Sequence, residues 1–215
     1  MQPMVQGITH WLWHCGNKSV ALAGVTLLPL IFAPSPAAQA VNEGDLERLS
    51  ETNECPGCGL READLRRLDL SGANLEGANL REANFFYAIL DGANLSGADL
   101  GLSNMTYVRA LTIRTEATDS AGEFIVFPAQ FIGANLEGSL LNYADFSGAE
   151  MMEANFFEAY IHKTQFIGSQ LQDSNFDLTY VHDIDLTGAN LCGSTYSAGN
   201  DYRRACTVPV TDLEQ

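Results

Sequence analysis

Two stretches twenty residues apart, AYIHK (Ala159 to Lys163) and TYVHD (Thr179 to Asp183), each carry a tyrosine, an aliphatic residue and a histidine. His162 and His182 are the only histidines beyond the first 40 residues. Imidazole is the commonest metal ligand and exchanges a proton near neutral pH, so a repeated Tyr-x-His could hold a metal or move a proton. The cysteines form a second chemical group. Cys55 and Cys58 make the C-x-x-C of CPGC, while Cys192 and Cys206 lie near the C-terminus. A C-x-x-C serves redox exchange or half of a zinc site, yet no second C-x-x-C or nearby histidine completes a zinc set. No G-x-S-x-G, phosphate-cradling glycine loop or paired-carboxylate pattern stands out. The expectation is a protein that is not an enzyme and takes no cofactor.

The first 40 residues read as a cleavable leader. Met1 to Asn17 has no acid, Lys18 adds a positive charge, and an apolar run follows from Val20 to Ala33. PSPAAQA then places Ala38 and Ala40 in the A-x-A arrangement of a signal-peptidase site. The run is short for a membrane span of about 20 residues and is broken by Pro29. Cleavage after Ala40 and export are expected. The chain carries 27 acids against 11 Lys and Arg, a net charge of −16, and losing the leader makes it one unit more negative. Such a surface repels nucleic acid and anionic lipid, so neither is an expected partner after leader cleavage. Cys15 leaves with the leader, and the four remaining cysteines form an even set, as disulfides in an exported protein require.

Between about residues 58 and 196 the periodicity is neither 3.6 nor 2 but five. Leu60, Leu65, Leu70, Leu75, Leu80, Phe85, Leu90, Leu95, Leu100 and Met105 fall in one phase. Ala63, Ala73, Ala78, Ala83, Ala88, Ala93 and Ala98 stand two places earlier, with Asn or Asp between in GANLEGANLREANF. A second tract runs one residue out of phase from Phe131 to Tyr196. Thr106 to Gln130 breaks the pattern and includes the β-prone GEFIVFP, part of which is expected to pack on the wall of the repeats. This segment is either a degenerate coil with a bulge or an excursion that leaves and returns.

GANLEGANLREANF and DGANLSGADL resemble the pentapeptide-repeat family, whose repeat is A-[DN]-L-x-x. The resemblance implies an all-β fold, a right-handed quadrilateral β-helix with four pentapeptides per twenty-residue coil. About 24 pentapeptides then make about six coils, roughly 29 Å of rod at about 4.8 Å per coil. The central apolar residue and the small residue two before it point inward, and Asn or Asp stabilises the corner. The domain reading is a signal peptide at 1–40, a helical N-terminal cap at 41–57, repeats at 58–196 interrupted at 106–130, and a tail at 197–215.

In such a rod Cys55 and Cys58 lie at one end and Cys192 and Cys206 at the other. A disulfide needs Cα atoms within about 7 Å, so Cys55–Cys58 and Cys192–Cys206 are the expected pairs. Residues i and i+20 stack, which puts Tyr160 beside Tyr180 and His162 beside His182, with Leu140 extending the tyrosine column. This possible binding stripe is surface-exposed, and no metal is assigned to it. The resemblance implies a non-catalytic scaffold or protein-interaction rod of the kind exported in cyanobacteria to the thylakoid lumen or periplasm. Its protein partner is unknown and its state is a monomer or weak homodimer. Some family members are acidic mimics of DNA that bind type II topoisomerases, which is the first alternative. Against it, export removes the target, and the acids are spread over faces bearing Asp145 and Asp185, Glu153 and Asp173, and Glu137 and Asp177. Metal binding by the stacked histidines is the second alternative, and mutual repulsion of the two rings when both are protonated is a related expectation.

Overall fold

The computed structural model describes residues 41–120 and 122–196, all within the compact unit Ala37–Gln215. The expected leader, the tail at 197–215 and Cys206 lie outside the described residues.

The repeat dictates the backbone. The amide of each central residue donates to the next coil, as Leu60 N does to Asn79 O at 2.8 Å. The amide two residues later does likewise, as from Gly57 N to Glu76 O at 2.7 Å. The residue before the centre donates to the preceding coil (Asn79 N to Cys58 O, 2.8 Å), and the one before that closes the corner (Ala63 N to Leu60 O, 3.1 Å). Buried backbone groups must be paired, and one coil on each side supplies the partners. The ladder pairs are parallel and twenty residues apart: Glu54 with Asn74, Gly59 with Asn79, Asp64 with Asn84, Asp69 with Ile89. Four pairs per twenty residues give the coil four sides.

Side chains follow from that geometry. Leu60, Phe85, Phe131, Phe146, Phe156 and Phe166 are fully buried, as are the alanines two places before most centres. Phenylalanines of the second tract stack along the axis, Phe156 on Phe176 at 4.6 Å and Phe146 on Phe166 at 5.6 Å between centroids. Where Thr or Ser takes the small position, its hydroxyl can donate to a carbonyl of the preceding coil. Thr164 Oγ1 reaches Leu141 O at 2.7 Å and Ser174 Oγ reaches Met151 O at 2.8 Å, which satisfies the buried group. Asn or Asp before the centre accepts from the amide two residues on, as Asn84 Oδ1 does from Phe86 N at 3.1 Å, and so fastens the corner.

Ahead of the coils stands α1, Glu43–Thr52. The Asn42 side chain accepts from Gly44 N at its start, and Asn53 in the left-handed region ends it. Leu49 is buried in the same core as the first repeats. Asp45 Oδ2 accepts from Gly59 N at 2.9 Å, and Asn42 N donates to Gly59 O at 3.2 Å. Among the described residues no helix is long and apolar enough to cross a membrane.

The interruption is narrower than the expected 106–130. Ladder pairing continues through Ile89 with Arg109, Val108 and Ala110 are buried, and pairing resumes at Gln130 with Asn94. Ala110 stands where the count by fives sought a large residue, which hid this repeat. The segment that leaves is a hairpin, β1 (Ile113–Thr118) antiparallel to β2 (Phe124–Phe127), with Ile113 opposite Phe127. The expected packing of GEFIVFP on the wall is corrected: all four β2 residues are exposed. The repeats already fill the interior, so the hairpin has no core to enter. Its stem alone approaches the coil at Gly92, where a Cβ would stand 2.7 Å from Ile113 Cδ1. The remaining named strands, β3 (Tyr160–His162) and β4 (Tyr180–His182), pair parallel in adjacent coils.

Candidate functional site

β3 and β4 place the stripe. Tyr160 lies opposite Tyr180 and His162 opposite His182, and Leu140 is bridged to Tyr160 one coil earlier. The Tyr160 and Tyr180 ring centroids are 5.8 Å apart and those of His162 and His182 are 5.1 Å apart. The imidazole planes differ by only 4°, so their lone pairs run alongside each other rather than converging on one point. Zinc needs ligands converging tetrahedrally, and the histidine pair as it stands is a stack rather than a chelate.

Among the described residues the one cluster of three potential ligands is Asp45, Cys55 and Cys58. Cys55 and Cys58 are buried and joined in a disulfide with Cα atoms 5.4 Å apart. Arg48 Nη2 lies against Cys58 Sγ and 3.7 Å from Cys55 Sγ. A disulfide under a guanidinium leaves no thiolate for a metal. Cys192 is half-buried in the last described coil, and its expected partner Cys206 lies outside the described residues.

Beside the stripe is a column the sequence reading missed. Tyr87, Tyr107 and Tyr143 each stand two places after a central residue, at the corner of the same face. Tyr87 stacks on Tyr107 at 4.5 Å and Tyr107 on Tyr143 at 4.8 Å, with planes 5° and 14° apart. Tyr143 then meets His162 edge-on at 5.5 Å, and Lys163 Nζ lies 5.8 Å from the Tyr143 centroid. Phe86 packs edge-on against Tyr87 and Tyr107. Five of the six described tyrosines lie on this one side of four, the sixth being Tyr196 on the side of Phe176. Their recurrence was visible in the sequence, but the columns align only when the hairpin's length is known.

The corner position has positive φ, 60° at Tyr87 and Tyr107 and 59° at Tyr143. A non-glycine residue there costs about 1–2 kcal/mol. Two of the other sides mostly use glycine at that position, as at Gly57 and Gly97 on one and Gly72 on the other, whereas this side has Arg67, Tyr87, Tyr107, Tyr143, Lys163 and Asp183 and the side centred on Leu60 has one glycine, Gly138. Each stacked pair returns about 0.5–1.5 kcal/mol, which does not offset three strained tyrosines. The position before the centre departs too: Leu140, Tyr160 and Tyr180 replace the Asn or Asp that fastens most corners.

Charge separates this side from the rest. Its carboxylates are Asp64 at the first level and Asp183 at the last, against Arg66, Arg67 and Lys163. The other sides carry 4, 5 and 6 acids against 1, 0 and 2 cations. Arg66 donates to both Asp64 oxygens at 2.7 and 2.6 Å and holds that carboxyl below its usual range. Among the described residues Arg67, Lys163 and Asp183 make no ion pair. An apolar recess at the last coil, beside Phe176, Val181, Leu191 and Tyr196, has no polar lining and suits no chemistry.

The family model for pentapeptide repeats matches in eight copies, over residues 60–106, 129–160 and 154–193, and skips the hairpin. No curated protein matches the sequence. Among solved structures the chain is similar to the pentapeptide repeat protein Rfr23 from the cyanobacterium Cyanothece 51142, at 19% identity and TM-score 0.34 over 72% of this chain and 95% of that one. It is similar to a trypsin-treated form of QnrB1, a plasmid-mediated fluoroquinolone resistance protein, at 14% identity and TM-score 0.35 over 67% and 65%. A pentapeptide repeat protein of the Arabidopsis thaliana thylakoid lumen is similar at 22% identity and TM-score 0.23 over 60% and 66%. The chain spans about two thirds of the length of these last two. With the repeat model covering more than half of its residues, the chain belongs to the pentapeptide repeat family, whose fold is the right-handed quadrilateral β-helix.

Proposed function

We propose that the protein is a non-catalytic, exported interaction rod that engages another protein through its tyrosine side. In this reading residues 1–40 are a removed leader, 41–57 cap the first coil, about six coils follow, and 197–215 form a tail. Pentapeptide repeat proteins are generally structural or interaction proteins rather than enzymes. The observation that carries the reading is the tyrosine side itself. Aromatic residues, tyrosine among them, are enriched in interfaces and contribute much of their energy. Here five tyrosines stand on a rigid β surface, four of them at 42–60% exposure and Tyr107 at 38%. They do so at positions that two of the other sides fill mostly with glycine, or that most pentapeptides fill with Asn or Asp. Export to a periplasm or thylakoid lumen is supported by the leader pattern and by the Cys55–Cys58 disulfide, since disulfides persist in oxidising compartments.

The test is capture of partners from the exported fraction with the wild type, with Tyr107→Arg/Tyr160→Arg and with a deletion of residues 113–128. One protein retained by the wild type and the hairpin deletion but lost by the tyrosine variant is the expected result. A partner lost only with the hairpin would move the site to β2.

The acidic remainder favours the second reading, mimicry of DNA toward a type II topoisomerase. Carboxylates line three sides rather than two opposed stripes. Supercoiling activity unaffected by micromolar protein would end that reading.

A further inference from the structure

We propose that two copies of this chain pair antiparallel through the tyrosine side, about a twofold axis crossing it between the levels of Met105 and Leu141. The pairing rests on that side being an interaction surface and names its occupant. The side has six levels, centred on Leu65, Phe85, Met105, Leu141, Ile161 and Val181. A twofold axis lying across the rod sets the first level against the last, the second against the fifth and the third against the fourth, and keeps each column opposite itself.

The corner column then pairs without conflict. Arg67 meets Asp183 of the second copy, Tyr87 meets Lys163, and Tyr107 meets Tyr143. In the neighbouring column Phe86 meets His162. Arg67 and Asp183 are exposed, opposite in sign, unpaired among the described residues, and equally far from the centre of the ladder. A twofold is the operation that satisfies both charges twice at once, and isologous contacts are the usual way homodimers close. Lys163 gains a second aromatic partner in the same step.

Three further observations favour a copy of the chain over other occupants. In a chain of net charge −16, copies repel one another on three sides, and the tyrosine side alone is not net negative. The rings of Tyr87, Tyr107 and Tyr143 cover one another face to face. They present edges and hydroxyls to solvent, which fits a flat ladder of the same kind and not a sugar or nucleobase that needs an open ring face. The hairpin leaves at the corner between the side centred on Phe146 and the side centred on Phe131, neither of which is the tyrosine side.

Sedimentation velocity of the purified protein, from low-micromolar to millimolar concentration, reads the pairing. A reversible dimer is expected, abolished by Tyr107→Arg/Tyr143→Arg, with melting curves checking that each variant folds. Asp183→Arg should weaken dimerisation by about tenfold or more, because it sets Arg67 against a like charge. Arg67→Asp/Asp183→Arg should restore it to within about threefold of wild type. A dimer indifferent to Asp183→Arg, or one not rescued by the double reversal, overturns the antiparallel pairing. A monomer at every concentration overturns self-pairing, and if capture of a different protein still depends on Tyr107 and Tyr160, the interaction-rod reading stands without it.

Discussion

Tyr107 and Tyr143 stack with centroids 4.8 Å apart although 36 residues separate them. One coil is twenty residues, as between Tyr160 and Tyr180, so the surplus is the hairpin, residues 113–128. Thr112 ends one pentapeptide and Ala129 begins the next.

Deleting residues 113–128 should therefore join Thr112 directly to Ala129 and leave the coil and the tyrosine stack intact. No described residue of that segment is buried. The expected change in Tm is within about 4 °C, the equivalent of about 1 kcal/mol for a protein this size. Circular dichroism melting checks it. A fall of about 10 °C or more would show that the hairpin braces the coil.

The coil was legible because its period is written once every five residues, and Leu60 to Met105 never break phase. The hairpin's limits were not, because Ala110 in a central position looks like a lost repeat while its backbone bonds are regular. The Tyr160 and His162 stripe could be read from a twenty-residue spacing within one tract. The Tyr87, Tyr107 and Tyr143 column crosses the hairpin, so its alignment needed a length that only the fold supplies. Exposure of β2 was also beyond the sequence: an apolar β-prone run reads the same whether or not a core has room for it.

Tyr107→Gly should separate the role of the ladder from that of the core. Glycine removes two stacks worth about 0.5–1.5 kcal/mol each and relieves a left-handed tyrosine costing about 1–2 kcal/mol. The two nearly cancel, and stability should stay within about 1 kcal/mol of wild type. Phe146→Ala, which empties a position between Phe131 and Phe166, should cost about 3–5 kcal/mol. Urea unfolding measures both. A Tyr107→Gly loss as large as that of Phe146→Ala would make the ladder a structural brace.

The Cys55–Cys58 bond closes a short loop beneath α1, beside Arg48 and Asp45. Loop-closure entropy for so short a ring is about 2 kcal/mol, so Cys55→Ala/Cys58→Ala should lower Tm by about 4–8 °C. Solenoids lose stability first at their ends. Hydrogen exchange should accordingly quicken in α1 and the first coil while amides of the Phe146 and Phe166 coils keep their protection. Uniform quickening along the chain would contradict an end-localised role.

Asp185 accepts hydrogen bonds from the Thr187 hydroxyl and amide, the latter at 2.9 Å, and these hold its carboxyl below the usual range. A carboxylate lowered by folding stabilises above its unfolded value, about 3.9, and loses that contribution as pH falls through the folded value. Asp185→Asn resembles the protonated residue. It should melt below wild type at neutral pH, and the gap should close as pH drops below about 4. The residue is only half-buried and the effect correspondingly small, so differential scanning calorimetry of the pair across pH is the suitable measurement. A gap that stays constant down to about pH 3 would mean the carboxylate charge contributes nothing at this corner.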